Sequence, residues 1–205
     1  LKELFAAALH PSVLGVGVFL FLVNFNPFGS TVQYMHITEH LGLGEELYGQ
    51  MSSVQAAAAV AGAGAYAWIN QRLSFRVLVH GCIVGAIVCT LCWWGVVGST
   101  SALIVSLVYG FVLMLVTLVQ LDMAARYCPP AVAATVFALL MSLSNLSVSL
   151  SEAVGGSMYT RWIESMGEAQ AYTVLVAVGA GFTALCWFVV PWLNRLAAAE
   201  AAEAA

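Results

Sequence analysis

A chain of 205 residues that is 62% hydrophobic, 8% charged and has a mean hydropathy of +0.94 cannot present a soluble protein's surface on all sides, because such surfaces come from domains with about 25% charged residues. The net charge of −4, carried by loops and tail, argues against nucleic acid as a partner. Crossing the ~30 Å hydrocarbon core takes roughly 20 apolar residues per helix. The length therefore leaves room for six spans joined by short loops. The expected class is all-α: an integral membrane bundle of six transmembrane helices over residues 1–196, with membrane lipid around it and an Ala-rich solvated tail at 197–205. The chain opens on Leu1, and no basic segment with a cleavage site precedes the first apolar run, so no signal peptide is expected.

The first apolar run extends from about Pro11 to Thr38 and is interrupted by Asn24-Phe25-Asn26-Pro27. A proline inside a span removes a backbone donor and clashes with the preceding turn, which predicts a break there. The second run, about Leu47 to Ile69, is rich in alanine and glycine from Gln55 onward. The third covers about Val77 to Val97, with Trp93 and Trp94 where an interfacial aromatic belt belongs. The fourth is about Ser101 to Ala125, and the fifth, after Cys128-Pro129-Pro130, about Ala131 to Tyr159. The sixth runs from about Tyr172 to Leu193. Small-xxx-small pairs at Gly81/Gly85, Ser151/Gly155 and Ala177/Gly181 predict close helix packing.

With six spans, both termini share a side with the second and fourth loops. That side collects Lys2, Arg72, Arg76, Arg126 and Arg195, whereas the other holds only Arg161. The positive-inside rule then predicts cytoplasmic termini.

Two motifs resemble metal or redox sites. His36-Ile-Thr-Glu39-His40 has the order of one zinc-peptidase class, but it falls at a span end and reads better as a polar helix terminus. Cys89 and Cys92 have Cys-x-x-Cys spacing with no second pair or nearby histidine, and cysteine inside a span is ordinarily a small apolar packer. No catalytic residue, metal or cofactor is expected. Polar residues within spans are more informative, since in hydrocarbon they need a partner or a water-filled cavity. On the fifth helix Ser142, Asn145, Ser149 and Glu152 stand at i, i+3, i+7 and i+10, which makes one stripe. Gln120 lies in the fourth span and Gln55 in the second, while Asn24 and Asn26 flank the break in the first. These eight residues are the candidates for lining a substrate cavity, the alternative being helix-to-helix hydrogen bonding. Asp122 has a simpler assignment as the i+4 partner of Arg126.

Six helices with a broken first one resemble half of a major facilitator transporter, whose halves are built from 3+3 inverted repeats. The loop from Gly64 to Arg76 looks like a copy of that superfamily's cytoplasmic loop, with Asn70 where an acidic residue is usual. More specifically, Cys128-Pro-Pro-Ala-Val-Ala-Ala-Thr135 through Ser142-Leu-Ser-Asn145 resembles a signature of the folate–biopterin transporter family. Asn24-Phe-Asn-Pro27 and Thr38-Glu-His-Leu-Gly42 are similar to that family's seventh helix and following loop, although Ala133 stands where the family has an acidic residue. The resemblance implies the C-terminal half of a secondary transporter that moves a folate- or pterin-like organic anion by alternating access. A site between halves needs a second wall, so a second six-helix half or other membrane subunits are the implied partners. The other reading is a transporter-derived six-helix subunit of a larger membrane complex, gripping a neighbour with the same polar stripe.

Overall fold

A computed structural model describes the backbone of residues 9–203 and the side chains of residues 9–195. Helix α1 (Pro11–Asn24) starts on a proline, whose missing N–H is no loss in the first turn. It stops short of Pro27, which disfavours helical backbone at Asn26. The chain is non-helical from 25 to 29 and re-enters helix as α2 (Ser30–Met35), which continues in a π turn over His36–His40. The expected break is therefore present. Then come α3 (Gly44–Ile69), α4 (Phe75–Cys92), α5 (Ser99–Arg126), α6 (Ala133–Met166), α7 (Glu168–Ala184) and α8 (Cys186–Glu203). No strand occurs among the described residues.

Two boundaries differ from the expectation. Helix α6 continues through Arg161 and Glu164 to Met166, and only Gly167, at φ 83°, separates it from α7. Polar residues mark where a helix leaves lipid, not where its hydrogen bonds stop. At 34 residues and ~1.5 Å per residue, α6 is about 50 Å long, well beyond the hydrocarbon thickness. The last apolar run is also interrupted at Leu185, between α7 and α8, and Pro191 lies inside α8. The backbone of the Ala-rich tail stays helical through Glu203, while its side chains, and Lys2 at the other end, lie outside the described residues.

Among the described residues four segments are long and apolar enough to cross a membrane: Phe75–Gly95, Ser99–Arg126, Pro130–Met166 and Glu168–Arg195. Helix α1 is apolar but only 14 residues long because of the break. The bundle's outside carries large apolar side chains with little protein against them, including Phe188 at 81% exposure, Val60 at 75% and Ile104 at 60%. Such a surface suits lipid and not water.

Inside, the apolar core forms two separate clusters. One joins Val16, Phe19 and Leu20 of α1 to Ile83, Val119, Met123 and Val136. The other joins Phe28, Val32 and Ile37 to Met51, Trp93, Tyr159 and Leu175. Each of α1/α2, α4 and α5 contributes one end to each cluster, so the two occupy opposite ends of the bundle. The tightest helix approach is α3 against α5, where a side chain on Gly62 would meet the Phe111 carbonyl and one on Gly110 the backbone of Gln55. Of the predicted small-residue contacts, Gly155 and Gly85 lie against neighbours, whereas Gly81 and Gly181 face open space.

Tyr66 donates to Asp122 at 3.2 Å, Asp122 pairs with Arg126 at 3.0 Å, and the Arg126 guanidinium covers the Phe75 ring at 4.5 Å. This ties the α3–α4 loop to the end of α5. At the opposite end His40 contacts Glu168 at 2.8 Å and Tyr34 donates to Glu45 at 2.9 Å.

Candidate functional site

The break between α1 and α2 frees backbone groups that an unbroken helix would satisfy, and most find substitutes nearby. Asn26 Oδ1 accepts the Phe28 N–H at 3.0 Å, the local bond that lets asparagine hold a turn. Its Nδ2 donates to Thr90 Oγ1 of α4 at 2.8 Å. The Asn26 side chain lies so close to Gly179 of α7 that no side chain fits there. Ser147 of α6 donates to the Phe21 carbonyl at 2.6 Å.

Glu152 closes the other side of the break. One carboxylate oxygen accepts from Ser30 N at 2.7 Å and Ser30 Oγ at 2.8 Å, and the other from Thr31 N at 3.0 Å. A carboxylate on the first N–H groups of α2 satisfies orphan donors where the helix field favours negative charge. Gly29 and Gly155 permit this geometry: a side chain on Gly29 would strike the carboxylate at 2.5 Å, and one on Gly155 would strike the Pro27 carbonyl. Glu152 thereby clamps α6 to the break.

Between the two apolar clusters lies a cavity of about 410 Å³, within the ~300–1,000 Å³ range of small-molecule sites. Asn24, Asn26, Gln55, Gln120 and Glu152 line it, five of the eight candidates. Asn24 Nδ2 donates both to Leu20 O at 2.8 Å and to Gln120 Oε1 at 2.7 Å, which fixes the two amides against each other. The Gln55 side chain has no hydrogen-bond partner among the described residues. The other three candidates, Ser142, Asn145 and Ser149, do not line the cavity. They lie exposed on the flank of α6, with the Ser142 hydroxyl bonded to its own helix at Ala138 O. The inner face of α6 carries Ser147, Ser151 and Gly155 instead. Sequence reasoning also missed Gln33, Tyr48, Thr90, Tyr109 and Thr117, all lining residues. Gln33 was legible as an amide within the first apolar run, but the two tyrosines carry no signal that separates them from ordinary packing.

The motif residues have other occupations. The His36 ring is buried and stacks on Tyr172 with 3.6 Å between centroids, and His40 turns to Glu168. Cys89 contacts the Tyr109 carbonyl at 4.0 Å, and all five cysteines are free thiols.

A break stabilised by side chains, beside a polar cavity midway along an apolar bundle, is the arrangement of solute sites in secondary transporters. The sequence profile of the BT1 family matches residues 1–197. The chain belongs to the BT1 family. It is also similar to a folate-biopterin transporter of Synechocystis sp., 29% identical over 179 residues, which cover 80% of this chain and 35% of that relative. The chain thus spans about a third of the length of that relative. No solved structure matches it. Family membership and the long apolar helices together make this BT1 chain an integral membrane protein.

Proposed function

We propose that this BT1 chain forms one wall of the solute path of a secondary transporter, a six-span half of a major facilitator fold that moves a folate- or pterin-like organic solute by alternating access. In this reading α1 and α2 together make the first span and α3 the second, its alanines and glycines lowering hydropathy without shortening the helix. Helices α4, α5 and α6 follow, and α7 with α8 makes the sixth. The 3+3 repeat relates the first three spans to the last three. Both termini are cytoplasmic, on the side of Arg72, Arg76 and Arg126.

One observation carries the reading: the cavity sits at the helix break, between the two apolar clusters, a depth that in this reading is near the bilayer midplane. Polar groups at that depth are costly unless they serve a pathway or each other, and Gln55 serves no protein partner. The exposed stripe adds support. Asn145 precedes Glu152 by seven residues, so it lies on nearly the same line of α6, about 10 Å further along. A second half closing over that flank would convert an open groove into a closed site, with Ser142, Asn145 and Ser149 at the seam.

The test is cysteine accessibility in a variant whose native cysteines are replaced. Ser74→Cys should react with an impermeant reagent from the cytoplasmic side only and Glu45→Cys from the outside only. Gln55→Cys should react from both sides, at rates that folate or biopterin changes. Labelling at 55 that ignores both solutes, with no uptake of either into proteoliposomes, would refute the transport reading; reactivity at 74 from outside would refute the topology.

A further inference from the structure

The cavity wall has a one-sided chemistry. Its polar groups are amides (Asn24, Gln55 and Gln120 among them), hydroxyls and the phenols of Tyr48 and Tyr109. Among the described residues no lysine, arginine or histidine lines it. The one charged side chain among the described lining residues is Glu152, whose two oxygens already accept from α2 and which meets no cation among them. A ligand carboxylate laid on this wall would find a like charge and nothing to pair with, an arrangement that disfavours the ionised form.

The free hydrogen-bonding atoms have a definite pattern. Both hydrogens of Asn24 Nδ2 are used, on Leu20 O and Gln120 Oε1. What remains is an acceptor, Asn24 Oδ1, next to a two-hydrogen donor, Gln120 Nε2, with the whole Gln55 amide free across the cavity. Adjacent amide donors and acceptors are complementary to the edge of a planar lactam or aminopyrimidine, because carboxamides pair bidentately with such edges. The Synechocystis relative is a folate-biopterin transporter, which joins two solutes. These share an uncharged 2-amino-4-oxopteridine ring, and only folate carries a glutamate tail. The cavity's ~410 Å³ is ample for a ring of that size.

We infer that this wall is the ring subsite. Asn24, Gln120 and Gln55 bind the donor–acceptor edge of a neutral pterin-like ring, and the anionic tail of a larger substrate lies away from this wall, on the opposing one. The inference rests on the pterin-transport reading above, and the experiment separates the two.

Ligand-induced stabilisation of the protein in nanodiscs is measured with three probes: biopterin (ring alone), p-aminobenzoylglutamate (tail alone) and folate (both). Biopterin and folate should each stabilise the protein and compete with each other, and p-aminobenzoylglutamate should do neither at ten times their concentration. Gln120→Ala should weaken biopterin and folate by the same factor, about tenfold, since both lose the same ring contact. Should Gln120→Ala fail to fold because Asn24 loses its partner, Gln55→Ala gives the same readout, as its amide holds no protein group. Stabilisation by p-aminobenzoylglutamate without biopterin, or variants that weaken folate alone, would overturn the ring subsite while leaving transport intact. If none of the three probes binds, the pterin reading falls, and the ring subsite with it.

Discussion

Removing the Glu152 carboxylate should uncouple α6 from the broken helix, at a cost the structure allows one to bound. The carboxylate accepts three hydrogen bonds at 2.7–3.0 Å from Ser30 and Thr31. In Glu152→Ala two backbone N–H groups at the start of α2 lose their acceptor. Hydrogen bonds between helices in membranes contribute about 0.6 kcal/mol on average and about 1.7 at most. Three of them give roughly 2 kcal/mol, and water entering the cavity would return part of that. The expected loss is about 1–2 kcal/mol, a fall of roughly 2–8 °C in Tm for a protein of this size. Glu152→Gln keeps one acceptor oxygen but presents an NH2 to the remaining N–H, so it should lose about half as much. Ser30→Ala removes only the hydroxyl bond at 2.8 Å, and in a double-mutant cycle with Glu152→Ala it should couple by about 0.5 kcal/mol or more. Thermal unfolding in nanodiscs of the parent chain and the four variants, the double one included, gives these values. Additive effects of Ser30→Ala and Glu152→Ala, or an unchanged Tm in Glu152→Ala, would refute the clamp.

Two further substitutions test the packing and the exposed stripe. Gly155→Ala drives a methyl into the Pro27 carbonyl, so it should cost about 1–3 kcal/mol by overpacking; Gly81→Ala, with nothing within 4 Å, should gain up to about 1 kcal/mol, and equal effects at both sites would refute the close approach. Asn145→Ala, at an exposed amide with no hydrogen-bond partner among the described residues, should change the chain's stability by less than about 0.5 kcal/mol; a larger loss in the isolated chain would reveal an intramolecular partner.

Much of the fold was legible because its determinants are local. Pro27 ends α1 through the chain geometry of its own dipeptide, and Asn26 holds the turn through a bond two residues away, so the break needs no knowledge of tertiary packing. The i,i+4 pair of Asp122 and Arg126 is legible for the same reason. The end of α6 was not. Composition reports the boundary of lipid, and Arg161 and Glu164 continue a helix that has already left it; the turn itself depends on Gly167 and its positive φ. Small-residue pairs were half informative. Ser151 and Gly155 face the break, but Gly81 faces nothing, since spacing on one helix does not say which of its faces has a neighbour.

The same ambiguity explains the site. Five candidates line the cavity because an amide or carboxylate inside an apolar bundle has few alternatives, and that energetic argument is independent of orientation. The stripe on α6 needed orientation as well. Ser147 lies two residues from both Asn145 and Ser149, about 200° around the helix at ~100° per residue. Two polar stripes thus run on opposite flanks of α6, and hydrophobic periodicity ranks neither. Size ranks them. Ser147, Ser151 and Gly155 are small enough for the backbones of α1 and the break to approach, so this flank packs inward. The bulkier Asn145 is left on the open side, in line with Glu152. On α6 the glycine marks the flank that a neighbour's backbone approaches, and Ser142, Asn145 and Ser149 stay on the flank left for something else to cover.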